Sequence, residues 1–274
     1  MPAPERIPAL LTLLTKGELT VRGQIREASN AVLLCSVSYE DESAECVYKP
    51  VAGERPLWDF PDGTLAQREV AAYEVSDALG WGLVPPTVLR DGPYGEGAVQ
   101  LWIEAPADGA VPELLALADV PEGGRPGDGW KAVARAEVAE GRTALLVHAD
   151  DARLRRLAVL DAVINNGDRK GGHLLPGPDG RLYGIDHGVT FNVDDKLRTL
   201  LWGWAGEPLP EEAVVALGRL ARELEPGAAL ATRLAELLTG AEVVALRERV
   251  DGLLRSGLHR VPSGEWPAIP WPPV

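Results

Sequence analysis

The stretch Asn165-Asn166-Gly167-Asp168-Arg169-Lys170-Gly171-Gly172-His173 sets an acid, two cations and a side chain able to ligate a metal on nine residues. Its glycines let a backbone come close to a ligand. Upstream, Leu154, Leu157, Ala158, Leu160 and Ala162 recur at helical spacing and the pattern turns apolar nearly all round. A buried helix over 151–164 that delivers the stretch onto a loop is therefore expected. Downstream, Pro176-Gly177-Pro178-Asp179-Gly180 is hairpin chemistry between two short runs, His173 to Leu175 and Arg181 to Ile185. That hairpin folds a second acid, Asp186 in Gly184-Ile185-Asp186-His187-Gly188, back beside the first loop. Two carboxylates and a lysine converge. Phosphoryl transfer needs this set: one carboxylate to hold a metal on the phosphates, another to orient or deprotonate a hydroxyl, and a cation against the developing charge.

The N-terminal half reads differently. Leu19 to Gln24, Ala31 to Tyr39 and Glu45 to Lys49 are β-rich runs between polar turns, which predicts an antiparallel meander whose first loop is Arg26 to Asn30. Apolar residues at helical spacing from Leu65 to Leu79, with Gly80 after them, predict one helix. Trp81 to Arg90 and Ala98 to Glu104 read as extended, separated by the turn Asp91-Gly92-Pro93-Tyr94-Gly95. Five strands and one helix make a small lobe. In the second half, Pro112 to Leu117 reads as a short helix, residues 121–129 as a surface loop, and Glu211 to Leu224, Ala228 to Leu238 and Ala241 to Leu254 as helices. The Pro- and Trp-rich tail from Trp266 reads as a packed extended strap.

Asp168-Arg169-Lys170 with Asp186 resembles the catalytic loop and metal-binding aspartate of the phosphatidylinositol 3- and 4-kinase-like superfamily, an atypical kinase group related to the persister-toxin Ser/Thr kinases. Cys46-Val47-Tyr48-Lys49-Pro50 resembles its third-strand lysine motif, and Arg68-Glu69-Val70-Ala71-Ala72-Tyr73 resembles the helix that presents the glutamate partner. Val84-Pro85-Pro86-Thr87 and Gln100-Leu101-Trp102-Ile103-Glu104 resemble the adenine-pocket strand and hinge. The likeness spans roughly residues 17 to 205 and is greatest to a bacterial branch of the group. It implies an α+β, two-lobed protein-kinase-like fold, with an antiparallel sheet plus one helix over 17–105 and a mostly helical lobe over 106–274, together one catalytic unit. By the same resemblance Lys49 contacts the α and β phosphates of ATP and pairs with Glu69, with Glu74 as the competing partner. Ser29 and Asn30 cover the phosphates, Ile103 and Glu104 form the hinge, Asp168 orients the acceptor hydroxyl and Lys170 meets the transferred phosphate. Asp186 holds the metal, Mg²⁺ or Mn²⁺, with His173 where relatives carry an asparagine. Imidazole is a softer ligand than an amide oxygen, which would shift preference toward Mn²⁺.

Other readings of these residues stay open. An isolated Asp-Arg-Lys is an ordinary solvated turn, and a lysine on an apolar strand is either a partnered buried cation or protection of a sheet edge. His173 is either a ligand or a hydrogen-bonded structural residue, and His187 either supports Asp186 or fills space. Trp202 and Trp204 read as packing residues.

The 274 residues carry 41 acidic against 27 basic side chains, a net charge of −14. So acidic a chain is repelled by nucleic acid and anionic lipid, which leaves nucleotide plus a protein hydroxyl or a small soluble metabolite as the expected partners. Cys35 and Cys46 lack metal-ligand spacing and read as buried, reduced thiols, in keeping with a cytoplasmic protein without secretory signal or membrane span. The leading function is an ATP-dependent phosphotransferase with an alcohol acceptor. The alternatives are a nucleotide-binding pseudokinase that regulates a partner, and an adenylyltransferase on the same fold.

Overall fold

The protein is described by a computed structural model covering residues 7–25, 30–55, 57–60, 65–104, 106, 114–119, 124–139, 142–178 and 180–273. Strands β1 (Glu18–Gln24), β2 (Leu33–Tyr39) and β3 (Glu42–Pro50) form the expected meander. The hairpin of β4 (Thr87–Gly92) and β5 (Gly95–Leu101) joins it through β5, giving an antiparallel sheet of order β1-β2-β3-β5-β4. Strand β3 is thus internal, and Lys49 opposite Ala98 is no edge-protecting charge.

Side chains alternate across a strand, so Cys46 and Tyr48 face one way and Lys49 the other. On the first face Cys35, Val37, Cys46, Tyr48 and Val99 make a small core closed by Leu13 and Leu14 of helix α1 (Ile7–Lys16). By its residues alone this segment looks like an interrupted apolar run. It is helical because Pro8 sits in the first turn, where no intrahelical N–H is required. The sheet therefore carries two helices, one on each face. Both cysteines are free and buried, and burial pushes the Cys46 thiol up to about 12.

Helix α2 (Leu65–Leu79) covers the other face, and it is buried nearly all round because helices of the second lobe pack on its far side. Its ends are satisfied from outside. The Glu54 carboxylate accepts from the Leu65 and Ala66 N–H groups at 2.9 and 2.8 Å, and Arg219 donates to the carbonyls of Ala78 and Leu79.

The second lobe opens with a sheet absent from the sequence reading, β6 (Leu115–Ala118), β7 (Trp130–Ala139) and β8 (Arg142–Ala149), in the order β6-β8-β7. The helix expected at Pro112 to Leu117 is not formed: Leu115–Ala118 is a strand, and residues 112–113 lie outside the described residues. Pairing with β8, whose Ala144 to Val147 are buried, overrides the weak local preference of Leu-Ala-Leu-Ala. The rest of the lobe is mainly helical: α3 (Ala152–Ile164), α4 (Glu211–Glu223), α5 (Ala229–Leu237) and α6 (Gly240–Ser256), with the hairpin β9 (Leu174–Pro176) and β10 (Leu182–Gly184) after α3. One core runs from α2 through α3 into α4, α5 and α6, so the two lobes share their interior.

Asp151 caps α3 by accepting from Arg153 N–H, and Asn165 ends it in the left-handed region at φ 52°. That conformation disfavours a side chain. Here it is offset by hydrogen bonds from Asn165 Nδ2 to the Asn192 and Asp194 carbonyls and from Lys196 N–H to Asn165 Oδ1. The tail packs as expected: Ala268 O accepts from Thr199 N–H and Trp202 Nε1–H, and Pro273 O accepts from Gly171 N–H. Trp202 and Trp204 are buried, and Trp204 donates to Asp150. The architecture is α+β and two-lobed, a five-stranded antiparallel sheet flanked by two helices joined to a mainly helical lobe. No helix among the described residues is long and apolar enough to cross a membrane.

Candidate active site

Between the lobes lies a cleft of about 730 Å³ lined by Lys49, Glu69, Asp168, Lys170, His173 and Asp186, among others. The Lys49 Nζ sits between two carboxylates, 2.5 Å from Glu69 Oε1 and 3.0 Å from Asp186 Oδ1. Glu74 is elsewhere, paired with Arg233 of α5. Burial alone would lower the Lys49 pKa, and the Asp186 and Glu69 carboxylates more than reverse it, so the ammonium is held charged. Lys49 in turn holds the Asp186 carboxyl well below the usual carboxylate range. Burial pushes Glu69 upward against the pull of Lys49. Glu69 Oε2 also accepts from His187 N–H at 3.0 Å, so one carboxylate ties the β3 lysine to the turn after Asp186.

Asp168 and Lys170 face each other at 3.0 Å, each about a quarter exposed to the cleft. The loop that carries them is fixed from beneath. Arg169 points into the lobe, fully buried, and meets the equally buried Asp161 of α3 at 2.8 Å. Asp161 also accepts from Asn166 Nδ2 and Thr199 Oγ1, both at 3.0 Å, and Asn166 Oδ1 accepts from Asp168 N–H at 2.9 Å. A chain of bonds thus runs from the helix core to the backbone of Asp168. Arg169 Nη2 donates to His187 Nε2 at 2.7 Å, so His187 is a neutral acceptor there, and burial together with Arg169 lowers its pKa well below the ordinary histidine value.

His173 Nε2 lies 3.4 Å from Asp186 Oδ2, and burial lowers its pKa although Asp186 acts in the other direction. A neutral imidazole beside an ionised carboxylate suits a divalent cation. No group of three or more His, Cys, Asp or Glu among the described residues could hold a metal. Two protein donors are enough for Mg²⁺, which takes one or two carboxylates plus phosphate oxygens and water. Asp186 itself sits at φ 61°, a left-handed conformation at the β10-to-turn junction that aims its carboxylate at Lys49.

Some expected residues are not brought to this point. Ser29 lies outside the described residues. Asn30 lines the cleft, but its Oδ1 accepts from Arg55 N–H and so fixes that backbone. Ile103 and Glu104 follow β5 and are not among the residues lining the cleft. Conversely, sequence reasoning passed over Asp161, Arg68 and the cleft-lining Arg55. For Asp161 a signal existed: an acid inside an otherwise apolar helical run must find a buried partner. Arg55 stands in a polar loop and gives no such sign.

No protein-family model matches the chain. Over 263 residues it is 52% identical to Protein Rv2133c of Mycobacterium tuberculosis, covering 95% of this chain and 94% of the relative. Among solved structures, the Helicobacter pylori proinflammatory kinase CtkA aligns over 89% of this chain and 94% of its own, at 12% identity and a TM-score of 0.46.

Proposed function

We propose, for a chain that belongs to the family of Mycobacterium tuberculosis Protein Rv2133c, an ATP-dependent phosphotransferase of the phosphatidylinositol 3- and 4-kinase-like group acting on a protein hydroxyl or a small soluble metabolite. The observation that carries the reading is the placement of Lys49 Nζ between Glu69 and Asp186 on the wall of a cleft that also holds Asp168 and Lys170. A structural ion pair does not need a second carboxylate more than half exposed to the cleft, as Asp186 is at 55%. That exposed carboxylate is available to a ligand.

In this reading Glu69 fixes Lys49 so that its ammonium meets the α and β phosphates. Asp186 and His173 are the residues that would hold Mg²⁺ or Mn²⁺, which when bound neutralises phosphate charge. Asp168 accepts the hydrogen bond of the acceptor hydroxyl and aligns its oxygen with the γ phosphorus. The new O–P bond forms as the bond from the γ phosphorus to the β–γ bridging oxygen breaks, ADP departs, and the hydroxyl proton passes by way of Asp168 to solvent. Lys170, 3.0 Å from Asp168, lies where a cation offsets charge on the moving phosphoryl group. The lobes are taken as residues 17–105 and 106–274, and the net charge of −14 speaks against a membrane-bound acceptor.

The test is incubation with ATP labelled on the α or the γ phosphate, with Mg²⁺ and Mn²⁺ varied. Transfer of the γ label supports the reading. Transfer of the α label makes the protein an adenylyltransferase, and nucleotide binding without transfer makes it a pseudokinase.

A further inference from the structure

Arg68, one residue before Glu69 on α2, is 3% exposed and lies outside the cleft lining, yet its guanidinium spans two elements of the second lobe. Nη2 meets Glu242 Oε1 of α6 at 2.5 Å, and Nη1 donates to the Thr190 carbonyl at 2.8 Å. Phe60 covers the cation, its ring centroid 4.7 Å away. Thr190 closes the turn that begins at Asp186: Thr190 Oγ1 donates to His187 O at 2.6 Å, and His187 N–H donates to Glu69 Oε2 at 3.0 Å. Two consecutive α2 residues therefore grip the two ends of one turn, Glu69 at its start and Arg68 at its end. The same turn holds the Asp168 loop, because Gly167 N–H donates to Val189 O at 2.8 Å.

We infer that Arg68 and Glu242 are positioning residues that set helix α2 and the 186–190 turn in one arrangement, so that Lys49, Glu69 and Asp186 stand assembled without any activating partner. The physical ground is the fork of arginine, which reaches a carboxylate and a carbonyl at once and is preorganised to do so. Glu242 is 5% exposed, so losing Arg68 would leave it a buried charge without its cation, and α2 would shift to relieve it. In kinases the position of this helix governs the lysine–glutamate pair. Here α2 is tied to the second lobe at two further points, Arg233 on Glu74 and Arg219 on the carbonyls of its last turn.

Glu242 also has a structural duty, which the test must separate. Its Oε2 accepts from Thr239 N–H at 2.9 Å while Thr239 Oγ1 accepts from Glu242 N–H, a capping box at the start of α6. Glutamine serves in a capping box as glutamate does. Glu242→Gln therefore keeps the cap and removes the charge facing Arg68, whereas Thr239→Ala removes the hydroxyl half of the cap, which also donates to Glu242 Oε2 at 3.0 Å, and keeps the charge. Amide hydrogen exchange over residues 187–190 is read in the free protein, with kcat and KM for γ-phosphate transfer measured alongside. Only the kinetic arm rests on the phosphotransferase reading. We expect Glu242→Gln to speed exchange about tenfold and to lower kcat toward about 10²-fold, the loss typical of small misplacement, with little change in the KM for ATP. Thr239→Ala lowers the melting temperature and leaves both readouts at wild type. Arg68→Lys, which keeps a cation for Glu242 without the fork, falls between wild type and Glu242→Gln. Wild-type exchange in both Glu242→Gln and Arg68→Lys, or equal acceleration in Thr239→Ala, overturns the inference. Should Glu242→Gln not fold, Arg68→Lys with wild-type exchange still overturns it. No transfer by the unaltered protein would sink the functional reading while the exchange measurement still judges this one.

Discussion

Replacing Asp161 by asparagine is the sharpest test of how the Asp168 loop is held. Asp161 and Arg169 are both fully buried, and the carboxylate receives Arg169 Nε and Nη2, Asn166 Nδ2 and Thr199 Oγ1. The amide keeps the shape and one acceptor oxygen but loses the charge, which leaves Arg169 a buried cation whose acceptors, that oxygen, His187 Nε2 and the Ile185 and His173 carbonyls, are all neutral. Breaking a buried pair from one side costs about 3–5 kcal/mol. For a chain of this size each kcal/mol moves the melting temperature by about 2–4 °C, so the variant should melt roughly 6–20 °C lower. Thermal unfolding in the absence of nucleotide measures this, with Asp151→Asn, at a partly exposed helix cap, as the control expected to shift by no more than a few degrees. A double variant sharpens the point: Asp161→Leu with Arg169→Met removes both charges and should regain much of the lost stability, because a buried ion pair is seldom worth more than apolar packing of similar volume. It should not regain turnover, since Asn166 loses its anchor and with it the bond to Asp168 N–H. A melting temperature for Asp161→Asn within about 2 °C of wild type would refute the argument that this pair carries the loop.

Three further outcomes are expected. Lys49→Met and Asp186→Asn both abolish turnover in the labelled-ATP assay, and Asp186→Asn also removes the metal dependence of nucleotide binding followed by thermal shift; either variant with wild-type transfer contradicts the proposed roles. Asp168→Asn retains nucleotide binding but loses about 10²–10⁴-fold in turnover, the usual scale for a lost acid–base or orienting group, and wild-type turnover would remove it from the mechanism. Stability falls in mild acid: His148, His173, His187 and His259 all have pKa values lowered by burial, His259 to about 4, so below about 6.5 the unfolded chain binds protons that the folded chain refuses. Their contribution is complete above about pH 6.5 and drops by up to about 1.4 kcal/mol per pH unit for each histidine as pH falls toward the folded values. Glu69 and Asp77, whose carboxyls burial pushes up, act in the opposite sense, two groups against the four histidines. A melting temperature equal or higher at pH 5.5 than at pH 7.5 would contradict this.

What could be read in the sequence divides along a physical line. Asp168 and Asp186 stood out as acids on glycine-rich loops joined by hairpin chemistry, and Lys49 and Glu69 were picked out by the resemblance of their motifs. The structure places all four on one cleft. Helix α2 was legible to its ends, and α1 was hidden by a proline that a first turn tolerates. Strands β7 and β8 left no sign, since an alanine-rich run such as Trp130–Ala139 has little preference of its own and is a strand because β8 pairs with it. The supports of the site were hidden for a deeper reason. Arg68 and Glu242 read as ordinary helix charges, and each is buried only because a partner 174 residues away in the chain meets it. Their identity is set by the partner, and no local spacing records a partner. It follows that motif and support can vary separately: a chain with the same four residues in the same order, but an apolar side chain at position 68, would read alike at its motifs and hold α2 differently over its second lobe.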